Sequence, residues 1–266
     1  MNRALPGEHA YRELAARDTV MAGLIDLYGT PDPFRWSEAP AVAGGDPLAG
    51  LLLHICGQQI SIRAALAVYG RLLGLLRGGP SPAALAALTM EQLREVGFSR
   101  AKAEGIRDLA RRLTDASLSL AALATASDEQ AVTALTAVRG IGPWTAQLYL
   151  LHQLHRPDVL PAGDVGLRHA AALACQLPRA PSASELTALA EPWRPHRSYA
   201  TALLWTVLRA HRSERGARGP CLSACGERAR GRQSRPAATE RGVGCRRHPT
   251  PPGGQGLDCY GWRPLK

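Results

Sequence analysis

The sequence predicts an all-α protein on three grounds. Alanine and leucine dominate its 266 residues, aromatic residues make up only 5% of them, and runs of β-branched residues are short. Apolar residues recur at helical spacing through most of the chain. Prolines and glycines fall between these periodic stretches more often than inside them. No part of the pattern requires a β-sheet.

The helices can be placed in order from this periodicity and from the residues that begin and end them. A first helix ended by Gly29 is followed by a longer one that is interrupted near Gly57. Ser81 and Thr89 are expected to cap two short helices. The predicted helices cover residues 17–28, 47–76, 99–113, 128–138, 143–155, 166–175, 184–190 and 198–210, with the short ones beginning at 82 and 90.

The net charge of +10 is concentrated at the end of the chain. Residues 211–266 hold twelve arginine or lysine residues against four aspartate or glutamate residues, so the remainder is nearly neutral. This tail is rich in Gly, Arg and Pro and has no regular period, so we expect either a disordered segment or an out-of-frame ending. The predicted organisation is an N-terminal extension (1–16), a folded domain (17–210) and the tail (211–266).

The six cysteines do not form a recognisable metal motif. Cys56 and Cys175 lie in apolar helical contexts that are typical of buried thiols, and the other four lie in the tail at spacings that match neither zinc nor iron–sulfur sites. No stretch is long and apolar enough to span a membrane, and residues 1–10 lack the apolar block of a secretory signal. We therefore expect a soluble, intracellular monomer without a metal or organic cofactor.

Residues 135–146, L-T-A-V-R-G-I-G-P-W-T-A, predict two helices joined by a tight turn. Gly140 and Gly142 permit positive φ and a close approach of the backbone, and Ile141 between them can turn inward and lock the helices together. Pro143 stands at the favoured first position of the second helix. The N–H groups of that first turn would face an anion such as a DNA phosphate. An ordinary αα-hairpin, with glycines only for the turn, fits the spacing equally well.

Asp164 stands where a later helix begins, in the string P-A-G-D-V-G-L-R at 161–168. Taken alone, it is most simply a helix cap, because aspartate is a favoured N-cap residue. Capping and catalysis are compatible, since the start of a helix favours a charged carboxylate.

The two strings, about twenty residues apart, together resemble the helix-hairpin-helix (endonuclease III) superfamily of DNA glycosylases. The stretch P-W-R-P-H-R-S-Y at 192–199 is similar to the 3-methyladenine glycosylase II branch. The resemblance covers about residues 17–209 and implies a two-lobed helical fold with the active site in the cleft between the lobes. It also implies a grip on the backbone of double-stranded DNA, commonly with a bound monovalent cation and here without an iron–sulfur cluster. The residues that it places in this grip are Arg139, Gly140, Ile141, Gly142 and Thr145.

The resemblance assigns catalysis to Asp164. Cleavage of an N-glycosidic bond builds positive charge on the sugar, which a nearby carboxylate stabilises while it orients the attacking water. Alkylation at N3 or N7 makes a purine cationic, so it leaves without a strong general acid. In bifunctional relatives a lysine stands at the position of Trp144, whereas the lysines here are Lys102, on an earlier helix, and Lys266. The resemblance therefore implies hydrolysis of alkylated purines to an abasic site without strand cleavage.

A flipped, electron-poor base favours electron-rich aromatic faces. By the resemblance, Trp144 and Trp205 would line the base pocket, whereas Trp193 would be structural. One departure concerns the pocket tyrosine expected one helical turn after Trp144, which is Leu148 here.

Three aromatic residues are candidates to fill this gap. Tyr149 is next to Leu148 but points about 100° away on a helix. The others are Trp36 and Tyr28, which precede the second predicted helix.

Residues 53–61, L-H-I-C-G-Q-Q-I-S, resemble the family's I-x-x-Q-Q-x-S segment, beside which a residue fills the space left by the flipped base. Either Gln58 or Gln59 is this wedge, or both hydrogen-bond to neighbouring elements. Two other functions fit parts of the pattern: a glycosylase for a different damaged base, and a non-catalytic helix-hairpin-helix module that holds or bends DNA. A pure binder would need neither Asp164 nor the tryptophan pair.

Overall fold

The computed structural model describes residues 6–35 and 45–217 of the chain. These residues form thirteen α-helices and one 3₁₀ turn, and they contain no strand, as the sequence predicted. The elements are α1 (Pro6–Arg17), α2 (Thr19–Tyr28), α3 (Pro47–Gly57), α4 (Ile62–Leu75), α5 (Pro82–Ala86), α6 (Met90–Glu95), α7 (Arg100–Thr114), α8 (Leu120–Leu123), α9 (Asp128–Thr136), α10 (Pro143–His152), α11 (Val165–Ala174), α12 (Ala183–Leu189), the 3₁₀ turn (Glu191–Trp193) and α13 (Arg197–Ala217).

Side-chain caps explain where most helices begin. The hydroxyl of Ser81 accepts a hydrogen bond from the N–H of Ala84, and Thr89 forms a capping box with Gln92, both at predicted positions. The predicted interruption near Gly57 is also confirmed, because α3 ends there and α4 begins after Ser61. Local capping chemistry thus sets most of the helix boundaries within a few residues of their predicted places.

The helices pack around two hydrophobic cores. One core is built from α3 to α10, and its fully buried members include Leu51, Leu72 and Ile106. The other is built from α1, α2 and α11 to α13, with Leu14, Leu167 and Leu203 among its buried residues. Phe34 and Trp205 pack against both. The two-lobed helical fold implied by the resemblance is confirmed.

The first helix lies in the segment that was predicted to be an extension outside the folded domain. Tyr11 and Leu14 of α1 are buried in the second core, and the hydroxyl of Tyr11 donates a hydrogen bond to the carbonyl of Pro31. The apolar stripe of α1 is narrow among many polar residues, which is why its periodicity was missed. The packed part of the chain therefore begins before residue 17 and includes α1, which anchors the loop at 31–35.

The last helix also runs further than predicted. It continues through Ala217, seven residues past the expected end at 210. Arg, Glu and Ala favour helix, and each added residue of a helix contributes one further hydrogen bond at little cost. The rest of the tail, with Cys221, Cys225, Cys245 and Cys259, lies outside the described residues, so its predicted disorder remains a prediction. No helix in the described part is long and apolar enough to cross a membrane.

Trp193 is a structural residue, as predicted. Its side chain is fully buried in the second core, and its indole N–H donates a 2.7 Å hydrogen bond to Asp18 Oδ2. The other oxygen of Asp18 caps α2 by accepting from the N–H groups of Val20 and Met21. This tryptophan therefore joins the 3₁₀ turn to the start of α2.

Candidate active site

Asp164 is the N-cap residue of α11, as its local sequence predicted. Its Oδ1 accepts a 2.6 Å hydrogen bond from the N–H of Leu167, and its own N–H donates to the carbonyl of Pro161 at 2.8 Å. The carboxylate is half-buried. One oxygen is thus fixed by the helix, and the other is available for a second partner.

That second partner is Trp144, near the start of α10. The indole Nε1 of Trp144 donates a 2.9 Å hydrogen bond to Asp164 Oδ2. Because two different helix starts meet at this carboxylate, both of its oxygens are held in place. A carboxylate that is held so firmly needs no reorientation during a reaction, which is the condition for electrostatic stabilisation of a developing charge.

The loop before Asp164 is held by the stretch at 197–198 that resembles the family's R-S-Y motif. Arg197 makes a two-pronged ion pair with Asp158, with Nε to Oδ1 at 2.7 Å and an Nη to Oδ2 at 2.9 Å. The hydroxyl of Ser198 donates to the carbonyl of Arg156 and accepts from the N–H of Val159. These residues position the catalytic candidate through its loop and do not line the cavity.

A cavity of about 490 Å³ opens beside the carboxylate. Asp164, Trp144 and Trp205 all line it, and residues of both cores contribute to its wall. Its size suits one flipped base, since small-molecule sites are typically about 300–1,000 Å³. The buried lining residues form its floor, and they include His54, Leu148, His152 and Ala202.

Two of these floor residues are histidines that were not among the predicted site residues. The rings of His54 and His152 stack at 5.3 Å between centroids, and His152 stacks on Trp205 at 5.9 Å. Burial lowers the pKa of His54 well below its usual range and lowers that of His152 to about 4. The floor beside Trp205 therefore consists of uncharged imidazole rings near neutral pH.

Two of the three candidates for filling the gap at Leu148, Tyr149 and Tyr28, do not line the cavity. Tyr149 is fully buried in the first core, and the helix that carries it, α10, packs against α3 and α9. Tyr28 packs against the second core and is also absent from the lining. Trp36 lies outside the described residues. Tyr149 is thus a core residue, which corrects its predicted place in the base pocket.

The predicted hairpin joins α9 to α10. Gly140 has a φ of +79°, whereas Gly142 has an extended φ of −93° and serves as the N-cap of α10, so only Gly140 uses the left-handed freedom of glycine. Ile141 is 5% exposed and packs inward as predicted. No side chain caps α10, in contrast to α2 through α9, α11 and α12. No capping side chain therefore accepts a hydrogen bond from the first-turn N–H groups of α10.

The hairpin is tied to α7. The N–H of Arg139 donates to Asp108 Oδ2 at 2.9 Å, and its guanidinium pairs with Glu104 at 2.7 Å. Burial would raise the pKa of Asp108, but this N–H and two arginine side chains outweigh it and lower the pKa to about 2. A Cβ on Gly105 would lie 2.6 Å from the Arg139 carbonyl oxygen, so glycine is needed for this approach.

The two glutamines have different places. Gln58 Nε2 donates to the carbonyl of Gly140 at 2.8 Å and to Thr145 Oγ1 at 3.0 Å, which links the end of α3 to the hairpin. The side chain of Thr145 is only 2% exposed and packs inside the hairpin, while its N–H belongs to the first turn of α10, so its place in the DNA grip stays a prediction. Gln59 is exposed and has a φ of +60°.

Lys102 supports the loop after α3. Its Nζ donates to the carbonyls of Cys56 and Gln58, at 3.1 and 2.7 Å.

The two described cysteines fit the prediction of structural thiols. Cys56 is buried and Cys175 is half-buried. Burial raises the pKa of the Cys56 thiol to about 12 and that of Cys175 to about 11, so both are protonated near neutral pH. Within the described ranges, no cluster of three or more His, Cys, Asp or Glu residues is arranged to hold a metal ion.

Residues 53–195 match the sequence model of the HhH-GPD superfamily of base excision DNA repair proteins. Over 195 residues, the chain is 28% identical to DNA-3-methyladenine glycosylase 1 of Schizosaccharomyces pombe, which covers 72% of this chain and 83% of that protein. Over 124 residues, it is 36% identical to a DNA-3-methyladenine glycosylase of Bacillus subtilis, covering 47% of this chain and 41% of that protein. The matched segment spans less than half of either of two Bacillus subtilis relatives.

Solved structures give the same picture. The Schizosaccharomyces pombe 3-methyladenine DNA glycosylase (Mag1) in complex with abasic DNA superposes with a TM-score of 0.66 at 26% identity, covering 74% of this chain and 95% of that chain. A DNA-3-methyladenine glycosidase from Bacillus halodurans also gives 0.66, at 29% identity, over 80% of this chain and 94% of that chain.

Proposed function

We propose that this chain, which belongs to the HhH-GPD superfamily of base excision DNA repair proteins, hydrolyses the N-glycosidic bond of alkylated purines in double-stranded DNA. The substrates would be bases of the 3-methyladenine and 7-methylguanine class, and the product an abasic site. The observation that carries the proposal is the hydrogen bond from Trp144 Nε1 to Asp164 Oδ2 at the wall of a base-sized cavity. The relatives named as 3-methyladenine glycosylases support the same substrate class.

The chemistry would use the carboxylate of Asp164 directly. As the bond from C1′ to the base nitrogen breaks, its electron pair stays with the cationic purine, which leaves as a neutral base. Positive charge builds on the sugar, and the fixed carboxylate stabilises it. Water then adds to C1′ and gives up a proton, with Asp164 placed to orient the water and accept that proton. The uncharged floor of His54 and His152 adds no positive charge next to the cationic base.

Base excision without strand cleavage follows from the residue that accompanies the carboxylate. A lyase needs an amine that attacks the sugar and forms a Schiff base. Trp144 stands where the resemblance places that lysine in bifunctional relatives. Lys102, the lysine within the described ranges, donates to two carbonyls beneath the loop after α3 and does not line the cavity.

The DNA grip would lie at the hairpin. The first turn of α10, which has no side-chain cap, offers N–H groups to a phosphate, and the helix dipole favours that charge. The main-chain oxygens of the hairpin would bind a monovalent cation. Each carbonyl oxygen has two lone pairs, and those of Val138 and Gly140 each accept one hydrogen bond, which leaves a lone pair on each for the cation. Such a contact fixes the strand without reading its sequence. In a bacterial cell the protein would act in the cytoplasm, on the DNA of the nucleoid.

Gln59 is the proposed wedge. It is exposed, it has left-handed backbone geometry, and its neighbours Ile60 and Ile62 are exposed apolar residues at the edge of the cavity. Gln58 is instead engaged with the hairpin. The loop that carries Gln59 is therefore supported from below while its tip is available to enter the duplex.

The test is an excision assay on methylated duplex DNA with the wild type, Asp164→Asn and Asp46→Asn. Asp46 is a matched control because it also caps a helix, accepting from the N–H of Leu48 at 2.8 Å, but does not line the cavity. We expect release of 3-methyladenine and 7-methylguanine by the wild type and Asp46→Asn, and a loss of at least about a hundredfold in Asp164→Asn. Wild-type protein that releases no base would contradict the enzyme and leave a DNA-binding module.

A further inference from the structure

A second acidic residue lines the cavity besides the catalytic candidate. Asp32 lies in the loop at 31–35, between Pro31 and Pro33, and both prolines line the cavity as well. Its Oδ1 accepts a 2.9 Å hydrogen bond from the N–H of Phe34. The loop is anchored by α1, and each proline fixes its own φ. This carboxylate is therefore presented by a well-supported turn.

The other oxygen of Asp32 is available to a molecule in the cavity. The residue is exposed, and within the described ranges it takes part in no salt bridge and its Oδ2 accepts no hydrogen bond. Burial and the nearby charge of Asp32 together raise the pKa of Tyr199, on α13. The negative charge of the loop is thus felt at the side of the cavity where α13 begins.

The two carboxylates of the cavity lie towards opposite ends of α13. Phe34, two residues after the first carboxylate, packs on Tyr199 near the start of α13, with 5.7 Å between ring centroids. Gly166, two residues after the second, lies so close to Leu208 that an added Cβ would be 3.0 Å from its Cδ2. Tyr199 and Leu208 are nine residues apart, which is roughly 14 Å along the helix axis.

The same order holds along α10. Trp144, in the first turn, donates to Asp164, whereas Phe34 packs on His155, three residues past the end of the helix, with 5.1 Å between ring centroids. The lining residues of α10 lie between these two contacts. A flipped nucleotide whose sugar lies beside Asp164 would therefore direct the far edge of its base towards Asp32.

The far edge of a methylated guanine suits a carboxylate. In 7-methylguanine the ring N1–H and the exocyclic amino group point in the same direction, so the two oxygens of one carboxylate can accept both hydrogen bonds. Such charge-assisted hydrogen bonds are roughly twice as strong as neutral ones, and the positive charge of the alkylated ring adds to the attraction. 3-Methyladenine offers only its amino group as a donor, so it would make one such bond.

We infer that Asp32 is a base-recognition residue that binds the N1–H and amino groups of 7-methylguanine, and that it binds 3-methyladenine less tightly. The inference rests on the proposed function, because it concerns the base that this reaction releases. The contribution is to binding. As the glycosidic bond breaks, positive charge passes from the base to the sugar, so a carboxylate at the far edge of the base does not favour the transition state over the bound substrate. Its removal should weaken binding without slowing bond cleavage.

The experiment compares the full-length wild type, Asp32→Asn and the control Asp26→Asn. Asparagine keeps an oxygen for the N–H of Phe34 but replaces the other oxygen with a donor, and thermal unfolding checks that each variant is folded. Asp26 is an exposed residue of α2 that does not line the cavity, so its variant makes the same change of charge elsewhere.

Two measurements are made on each protein. The first is the ratio of 7-methylguanine to 3-methyladenine released early from one methylated duplex, in which the two bases compete for the same protein. The second uses a duplex with a single 7-methylguanine, and gives the single-turnover rate at saturating protein and the protein concentration at half of that rate.

Asp32→Asn should lower the released ratio several-fold and raise the half-saturating concentration for 7-methylguanine by roughly tenfold, while the saturated rate does not fall. Asp26→Asn should match the wild type in both measurements. An unchanged ratio in Asp32→Asn would overturn the inference whatever happens to the rates, because a purely structural role affects both bases alike. A loss in the saturated rate alone would also contradict it, since the carboxylate would then act in bond cleavage. If the wild type releases neither base, the proposed function itself has failed, whereas release of both with an unchanged ratio in Asp32→Asn removes only this inference.

Discussion

Trp144 and Asp164 are joined by a hydrogen bond of 2.9 Å between the indole Nε1 and the carboxylate Oδ2, and this bond ties the start of α10 to the start of α11. The same carboxylate caps α11 through its other oxygen. The hairpin proposed to hold DNA and the residue proposed to act on the sugar are therefore mechanically linked. A displacement of the hairpin would move the donor that orients the carboxylate.

Trp144→Phe should lower the single-turnover excision rate about tenfold, because it keeps an aromatic wall but removes one hydrogen bond to a charged group. Trp193→Phe is the matched control, since it removes the indole donor to Asp18, and neither Trp193 nor Asp18 lines the cavity. That control should lower the free energy of unfolding and leave the rate unchanged. A wild-type rate in Trp144→Phe would show that the hydrogen bond does not orient the carboxylate.

The wild type should leave an abasic strand that breaks only on treatment with alkali. Borohydride should trap no covalent complex with DNA, because Lys102 is held by the carbonyls of Cys56 and Gln58 and is absent from the cavity lining. Gel electrophoresis of the reaction with and without borohydride checks this. A trapped complex in the wild type that disappears in Lys102→Gln would instead assign lyase chemistry to this lysine.

Gly140→Ala should lower the free energy of unfolding by about 1 kcal/mol or more, because its φ of +79° is strained for any residue with a Cβ. Gly142→Ala is the control in the same turn. Its φ is −93° and an added Cβ meets nothing within 4 Å, so its stability should stay within about 0.5 kcal/mol of the wild type. Urea unfolding measures both. Equal losses in the two variants would contradict the assignment of the left-handed position to Gly140 alone.

The sequence predicted the features whose causes are local. The caps at Ser81, Thr89 and Asp164 each depend on a side chain and on the N–H group three residues later, so a short stretch of sequence is enough to predict them. The cap at Asp164 was the simplest interpretation of its local sequence and is correct. Its contact with Trp144, twenty residues away, was not predicted, because the resemblance only assigned both residues to one active site.

Features that join distant segments were missed. His54 and His152 lie 98 positions apart, and only the packing of α3 against α10 brings their rings together. Tyr149 lies on the helix that carries Trp144, but its side chain is buried in the first core, because the direction of a side chain on α10 depends on which neighbours the helix packs against. The sequence did contain a signal for this pair, because α3 and α10 are both apolar helices that carry a single histidine. One such helix is common, but two that pack against each other indicate a shared site.

The buried histidine floor makes stability depend on pH in a predictable direction. Burial lowers the pKa of His152 to about 4 in the folded protein, whereas an unfolded histidine titrates near about 6.5. Between these values the unfolded chain binds a proton that the folded protein does not. The stability that depends on a neutral His152 is therefore fully retained above about pH 6.5, and it is lost as the pH falls towards 4. The slope is at most about 1.4 kcal/mol per pH unit for one histidine.

His152→Phe should keep a flat ring stacked on Trp205 but remove this titration. Urea unfolding at a series of pH values from 6.5 to 5, above the range where most carboxylates titrate, should give a shallower pH dependence for the variant than for the wild type. Part of the slope should remain, because burial lowers the pKa of His54 as well. The exposed His169→Gln is the control and should retain the wild-type slope. The same slope in the wild type and His152→Phe would mean that His152 binds its proton over the same pH range in the folded and the unfolded protein, which would contradict a floor kept uncharged by burial.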